Sequence, residues 1–299
     1  MDTKIFHGIF TPVVSPCDDR DGFLFDSFER NIDRLFRAGV DGLYVCGGTG
    51  DAQLLRVPER KQALEISVAQ AKKHGKRIIA HVGGTFQRDA VELAEHAAKA
   101  GADAVASIPP SGLDQPMTVA YYRDLSAACG LPVFVYNFPA AMHRTMNLEE
   151  LLELLAIPGV TGLKMTDWNL FLMRRVILEN PAAVVYNGYC EMVALGMLYG
   201  AHGSIGTWSN LFPELYAAIY RTIKTGKAVE AVELQKAFIG FLNEAWKFGV
   251  IEVFEALMKD AGYAARCFRK PYLSGSVPAG ALPALREKME AVLKLAREA

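Results

Sequence analysis

Eight short apolar runs alternate with helix-patterned segments through the first three-quarters of the chain, and this alternation restricts the fold more than any other feature. The runs are Gly8–Val14, Gly42–Cys46, Arg77–Val82, Ala104–Ile108, Pro132–Asn137, Val160–Thr166, Ala183–Asn187 and His202–Gly206. Each is too short for a helix, and each is bounded by glycine, proline or asparagine. Between them lie segments with helical apolar spacing. Asp26 to Ala38 carries Phe28, Ile32, Leu35 and Phe36 on one face and stops at Gly39. Pro58–His74, Arg88–Ala100, Pro116–Cys129, Asn147–Leu155, Asn169–Leu178 and Cys190–Tyr199 repeat the pattern, and a further helix opens near Pro213. Strands that are apolar almost throughout belong to a parallel sheet covered on both faces. Eight strand–helix units in this length predict an α/β fold, a (β/α)8 TIM barrel over residues 1–226. A doubly wound open sheet is the alternative, and no strand–turn–helix here carries its G-x-G-x-x-G turn.

From residue 227 the pattern is helical only. Ala228–Phe248, Glu252–Ala261 and Pro283–Glu298 predict a C-terminal helical extension over 227–299 that packs on the barrel, with Pro271–Pro278 as a loop. Hydrophobic residues make up 51% of the 299, enough for a large core. A net charge of -1 excludes the basic footprint of a nucleic-acid partner. The five cysteines, Cys17, Cys46, Cys129, Cys190 and Cys267, are dispersed and form no metal-ligand spacing. They read as free thiols of a reducing compartment. Met1–Lys4 leads directly into a strand-like run without signal-peptide architecture, and no apolar run reaches membrane-spanning length. The expectation is a soluble, cytoplasmic protein with no membrane or nucleic-acid partner.

In a barrel of this kind the chemistry sits where the strands end. Those ends carry one candidate nucleophile, Lys164, which closes the sixth strand. Burying an ammonium is costly, so a desolvated lysine loses its proton more readily and becomes able to form a Schiff base with a carbonyl. A lysine that snorkels to solvent is the other reading of the same residue. Tyr136 ends the neighbouring fifth strand, where a phenol serves either as a proton carrier or as a packed core residue. Gly47-Gly48-Thr49-Gly50-Asp51 follows the second strand. Its glycines suit a nest of N–H groups around an anion, or simply a tight turn. Thr166, Gly188, Glu191, Gly206 and Thr207 complete the strand ends on the sixth to eighth units. Glu191 also fits the start of a helix for electrostatic reasons alone. His81 lies inside the third strand and reads as a packed histidine. The six histidines show no ligand spacing, and no metal site can be assembled.

Taken together in order, Gly8-Ile9-Phe10-Thr11-Pro12, Gly47-Gly48-Thr49-Gly50-Asp51, Tyr136-Asn137-Phe138-Pro139 and Gly162-Leu163-Lys164 resemble the class I lyases that contain N-acetylneuraminate lyase and dihydrodipicolinate synthase. The resemblance covers nearly the whole chain. It implies a barrel with a C-terminal helical region, assembled as a homotetramer. It implies that Lys164 forms a Schiff base with pyruvate or a 2-keto sugar acid, without metal or organic cofactor. Tyr136 then shuttles protons, and Gly48 and Thr49 hold the keto-acid carboxylate. Tyr186-Asn187-Gly188-Tyr189-Cys190-Glu191 and Gly203-Ser204-Ile205-Gly206-Thr207 look like the sialate lyase branch. There, positions equivalent to Thr166, Gly188, Glu191 and Thr207 contact the polyhydroxyl part of the substrate.

Four positions depart from these patterns. The synthase branch carries an arginine where this chain has Ala141, which argues against a true dihydrodipicolinate synthase. Gly48 stands where the family has a serine or threonine in its proton relay. Cys190 replaces an aspartate of the sialate lyases. Pro109-Pro110-Ser111-Gly112 replaces an aromatic segment whose tyrosine reaches a neighbouring subunit's site. The lysine chemistry survives these changes, while the electrophile stays open. A synthase-type condensation of pyruvate with an aldehyde, and a barrel that binds a keto acid without turnover, are the alternatives.

Overall fold

A computed structural model describes residues 3–272 and 277–299 of the chain. Eight parallel strands close into a barrel in sequence order, β1 to β8. They are β1 Gly8–Pro12, β2 Gly42–Val45, β3 Arg77–His81, β4 Ala104–Ser107, β5 Val133–Asn137, β6 Val160–Met165, β7 Val184–Asn187 and β8 Gly203–Ser204. The helices between them are α1 Phe25–Arg37, α2 Val57–His74, α3 Gln87–Ala100, α4 Gln115–Cys129, α5 Pro139–Met142, α6 Leu148–Leu155, α7 Leu170–Glu179, α8 Val193–Leu198 and α9 Pro213–Lys224. Three more follow the barrel: α10 Ala228–Ala245, α11 Val250–Asp260 and α12 Leu282–Glu298. The closed sheet excludes the open doubly wound alternative.

Two cores hold this arrangement. One lies between the strands and the helices and draws on nearly every element. The other fills the barrel itself with Phe6, Phe10, Tyr44, Ile79, Ala104, Ala106, Phe134, Val184, Tyr186 and Ile205. Side chains alternate across a strand, so inward positions recur every second residue. The register then sets inward residues of adjacent strands side by side: Tyr136 faces Lys164, and Lys164 faces Tyr186. The Tyr186 hydroxyl donates to the Phe6 carbonyl, in the 3-10 turn Thr3–Phe6 that precedes β1.

The barrel seam depends on glycine. A Cβ on Gly203 would stand 1.8 Å from the Gly8 carbonyl oxygen, in the pairing of β8 with β1. This crowding accompanies a β8 of two residues, shorter than the five-residue apolar run around it. The predicted helix from Cys190 is also interrupted. It begins as a 3-10 turn, Cys190–Met192, and becomes α-helical only in α8. The short α5 and the 3-10 turns Gly48–Gly50 and Thr207–Asn210 are too brief to leave a helical period.

The C-terminal helices bind the barrel through aromatic packing. Trp208, just past β8, meets Phe241 of α10 at 5.3 Å and Phe254 of α11 at 5.4 Å between ring centroids. The predicted helix to Phe248 ends at Ala245, where a 3-10 turn leads into Gly249 with φ 93. After α11 the chain returns across the barrel mouth. The Arg266 backbone bridges to Cys17, and the Arg269 N–H donates to Asp51 Oδ2 at 2.7 Å. Of the predicted loop Pro271–Pro278, residues 273–276 lie outside the described residues. All five cysteines are unpaired. No described helix is long and apolar enough to cross a membrane.

Two glycines test this account of the seam. Gly203→Ala is expected to destabilise the protein by about 1–3 kcal/mol, because the methyl group meets backbone that cannot yield. Gly240 lies exposed within α10, where an added Cβ meets nothing within 4 Å. Gly240→Ala should stabilise by about 0.5–1 kcal/mol. Urea midpoints moving in opposite directions check both.

Candidate active site

Lys164 is the penultimate residue of β6 and only 5% exposed. Two residues earlier, Gly162 lets the strand lie close to β7, since a Cβ there would stand 2.0 Å from the Val184 carbonyl oxygen. The amine packs on aromatic faces, with Nζ 3.9 Å from the Tyr136 ring centroid and 4.7 Å from that of Tyr44. Burial is the main influence on its charge, and it lowers the lysine from 10.5 to about 7. The Cys190 thiol acts weakly the other way, and no carboxylate is among the groups that act on it. Ring faces favour the cation, but desolvation outweighs them. Near neutral pH a large fraction of the amine therefore carries a free lone pair.

Tyr136 sits beside it on β5, also buried. Its ring stacks on Phe138, 5.8 Å between centroids at 13°. Burial pushes the phenol up to about 12, against the pull of a hydrogen bond from Thr166. Thr166 Oγ1 donates to the phenol oxygen at 3.3 Å. Gly188 backs this threonine, and a Cβ there would stand 2.0 Å from Oγ1. Lys164, Tyr136, Thr166 and Gly188 thus form one contiguous group.

The β2 loop contributes a second. Cys46 and Asp51 flank it in the left-handed region, both with φ 55, an unusual state for residues other than glycine. Its internal hydrogen bonds use the N–H groups of Gly50, Asp51 and Ala52. Those of Gly48 and Thr49, at the start of the 3-10 turn, are not used by them. The Thr49 hydroxyl lies 2.7 Å from that of Thr207, joining the loop to the end of β8. Gly48 is exposed, with open space around a would-be Cβ. Gly206 precedes Thr207 and packs tightly, its would-be Cβ 2.8 Å from Cys190 Sγ and 2.9 Å from the Tyr216 hydroxyl. Glu191 is half-buried, and burial raises its carboxyl above the usual range. Among the described residues no side-chain hydrogen bond or ion pair joins Glu191 to either group.

A cavity of about 800 Å3 opens beside Tyr136, between the loops after β2, β3, β4 and β5. Gly48, Tyr136, Phe138, Pro110 and Ala141 line it, and Tyr272 of the C-terminal arm closes one side. Ala141 presents no cation to it. Neither Lys164 nor Thr166, Gly188, Glu191, Gly206 and Thr207, at the ends of β6–β8, is in its lining.

The contacts of two supporting residues, His81 and Asp51, are not legible from strand ends. His81 hydrogen-bonds the Cys46 carbonyl through Nδ1 at 3.0 Å and accepts the Ile108 N–H at Nε2 at 3.2 Å. These partners fix a neutral ring protonated at Nδ1, and burial holds it well below its ordinary value. It is a packed histidine, and it staples the β2 loop to the β4 loop. Asp51 is held by the Arg269 backbone and lies 3.8 Å from the Arg269 guanidinium, both nearly fully buried. Burial raises Asp51 to about 6. No local pattern pairs residues 218 positions apart, so this contact has no signal in the sequence. Tyr44 was open to detection, because it occupies an inward position of β2 two residues before the loop.

The dihydrodipicolinate synthetase family model matches residues 5–290. An N-acetylneuraminate lyase of Rhizobium meliloti is 36% identical over 288 residues, covering 96% of this chain and 95% of that protein. One from Escherichia coli is 33% identical over 287 residues, covering 93% and 94%. Among solved structures, the sialic acid aldolase of Ruminococcus gnavus superposes with a TM-score of 0.90 at 24% identity, over 98% of this chain and 99% of that one. The N-acetylneuraminate lyase of Fusobacterium nucleatum gives 0.89 at 24% identity, over 97% and 99%. At that identity the superpositions speak for the shared barrel. The family match and the two lyases, both more than 30% identical over nearly the full length, establish that the chain belongs to the dihydrodipicolinate synthetase family.

Proposed function

We propose that this protein is a carbon–carbon lyase of the class I Schiff-base type, on the N-acetylneuraminate lyase branch of its family, cleaving a 2-keto sugar acid to pyruvate and an aldehyde. The observation that carries the reading is Lys164, buried, without a carboxylate partner among the described residues, and pressed against Tyr136. The neutral amine attacks the C2 carbonyl, and loss of water leaves a protonated imine. Gly48 and Thr49 hold the carboxylate through the unused loop N–H groups and the Thr49 hydroxyl. Tyr136, left as a phenolate once its proton departs with that water, takes the proton of the C4 hydroxyl as the C3–C4 bond breaks. The bonding pair flows into the imine and leaves an enamine. Protonation at C3 and hydrolysis then release pyruvate and restore the amine. No metal or organic cofactor enters this scheme.

Thr166, Gly188, Glu191, Gly206 and Thr207 form the wall that receives the polyhydroxyl portion. Two relatives more than 30% identical carry the name N-acetylneuraminate lyase, which supports a sialate-like substrate. Ala141 supports this branch over the synthase branch, because an aldehyde bearing its own carboxylate would meet no cation there. We assign the enzyme to the cytoplasm, in keeping with its unpaired cysteines. We assign it a homotetrameric state. Trp168, Phe171, Leu195, Leu198 and Tyr199 lie exposed along α7, α8 and their flanks, and contact between copies would bury them.

Two measurements test the reading. Pyruvate with borohydride should add a reduced pyruvyl group to the Lys164 peptide, detected by mass, and Lys164→Met should lose both the label and pyruvate release. An unlabelled Lys164 would sink the mechanism. The second measurement is stability. A lysine lowered to about 7 in the folded state and near 10.5 when unfolded binds its proton more tightly in the unfolded chain. It therefore weakens the fold fully below pH 7, and the penalty fades as pH rises from 7 toward 10.5. Lys164→Met should be the more stable protein at pH 7 by up to about 4 kcal/mol, with the gain shrinking toward pH 10. Denaturation curves across that window check the sign.

A further inference from the structure

Tyr136 cannot move a proton unaided, because a buried phenolate without a donor is strongly disfavoured. Among the described residues one side chain donates to it. Thr166 Oγ1 gives its proton to the Tyr136 oxygen at 3.3 Å, with both groups buried. The phenol's own proton is thereby left free to point at a reacting atom. Thr166 is held on both sides to do this. Its N–H donates to the Asn137 carbonyl at 2.9 Å, and behind it the Gly188 N–H donates to Met165 O at 2.8 Å. Gly188 leaves the space that the hydroxyl needs.

Among the described residues no other hydroxyl bonds the Tyr136 oxygen. Thr49 and Thr207 bond each other. Tyr121 and Tyr122 are engaged with Ser107. The Tyr44 hydroxyl is buried and bonds nothing among the described residues. Gly48, across the cavity mouth, has no side chain to offer.

We propose that Thr166 is a positioning residue for proton transfer: its hydroxyl orients the Tyr136 phenol and donates to the phenolate oxygen when that proton leaves. The proposal rests on the Schiff-base reading above. In the half-reaction with pyruvate, the amine displaces the C2 oxygen, and that oxygen leaves as water with one proton from the amine and one from Tyr136. The electron pair of the broken O–H bond stays on the phenolate, which accepts the Thr166 hydrogen bond. The phenolate then removes a C3 proton, the C–H pair forms the enamine, and the phenol is restored. A residue that only touched the sugar would play no part in this half-reaction.

Deuterium exchange into the methyl group of pyruvate, followed by NMR in D2O on the full-length protein, isolates the step. Borohydride trapping on Lys164 runs in parallel. Thr166→Val should exchange about a hundredfold more slowly or worse while still trapping pyruvate once imine formation has reached equilibrium. Thr166→Ser should retain most of the exchange. Gly188→Ala, which keeps the hydroxyl but displaces it, should follow Thr166→Val. Exchange at the unaltered rate in Thr166→Val or Gly188→Ala would overturn the proposal. So would a complete loss of trapping at equilibrium in Thr166→Val, or a Thr166→Ser as slow as the valine variant. No trapping in the unaltered protein would overturn the Schiff-base reading, and this proposal with it.

Discussion

An ammonium kept out of water without a counter-charge is the constraint on which the structure turns. Holding Lys164 with a value near 7 costs about 4 kcal/mol of stability at pH 7, a substantial part of what a folded domain possesses. Such a group persists only in a scaffold with stability to spare. The barrel provides it through two cores, one inside the closed sheet and one under the helices. The site is made by strand register. Tyr44, Tyr136, Lys164 and Tyr186 are inward positions on β2, β5, β6 and β7, and parallel pairing brings the last three side by side. Rings rather than carboxylates then surround the amine, which is why it loses its proton instead of pairing.

The loops above that layer are shaped by fixed supports. The β2 loop departs from ordinary backbone at Cys46 and Asp51, and each of those residues is tied down. His81 holds the Cys46 carbonyl, and the Arg269 backbone holds the Asp51 carboxylate. The C-terminal extension therefore does more than cover apolar surface. Its aromatic contacts with Trp208 fix the start of α9, and its returning arm braces the loop assigned to the substrate carboxylate. Opposite, Gly188 and Thr166 form a smaller unit in which a missing side chain makes room for a hydroxyl.

Much of this was legible in the chain itself. Apolar runs bounded by glycine and proline marked all eight strands, and the rule that barrel chemistry sits at strand ends led to Lys164 and Tyr136. The features without a sequence signal lack one for physical reasons. Strand β8 is clipped to two residues at its glycine seam, and α5 lasts a single turn, too short to show a period. Tyr44 is inward by simple alternation and His81 is packed as its strand position implies, but their contacts with Lys164 and with the β2 and β4 loops appear only when strands are paired. The Asp51–Arg269 contact spans most of the chain. Propensity also says nothing about which side of the lysine is hollow. The cavity lies over the β2–β5 loops and reaches Tyr136, whereas Lys164 and the hydroxyl-bearing ends of β6 and β8 are outside its lining.

The central claim is that burial alone makes Lys164 a nucleophile at neutral pH. Its most direct test is the ionisation of that side chain, followed by NMR of a protein carrying carbon-13 at the lysine Cε and assigned through Lys164→Met. The account predicts an inflection near pH 7 for Lys164. An inflection near its ordinary 10.5 would contradict it.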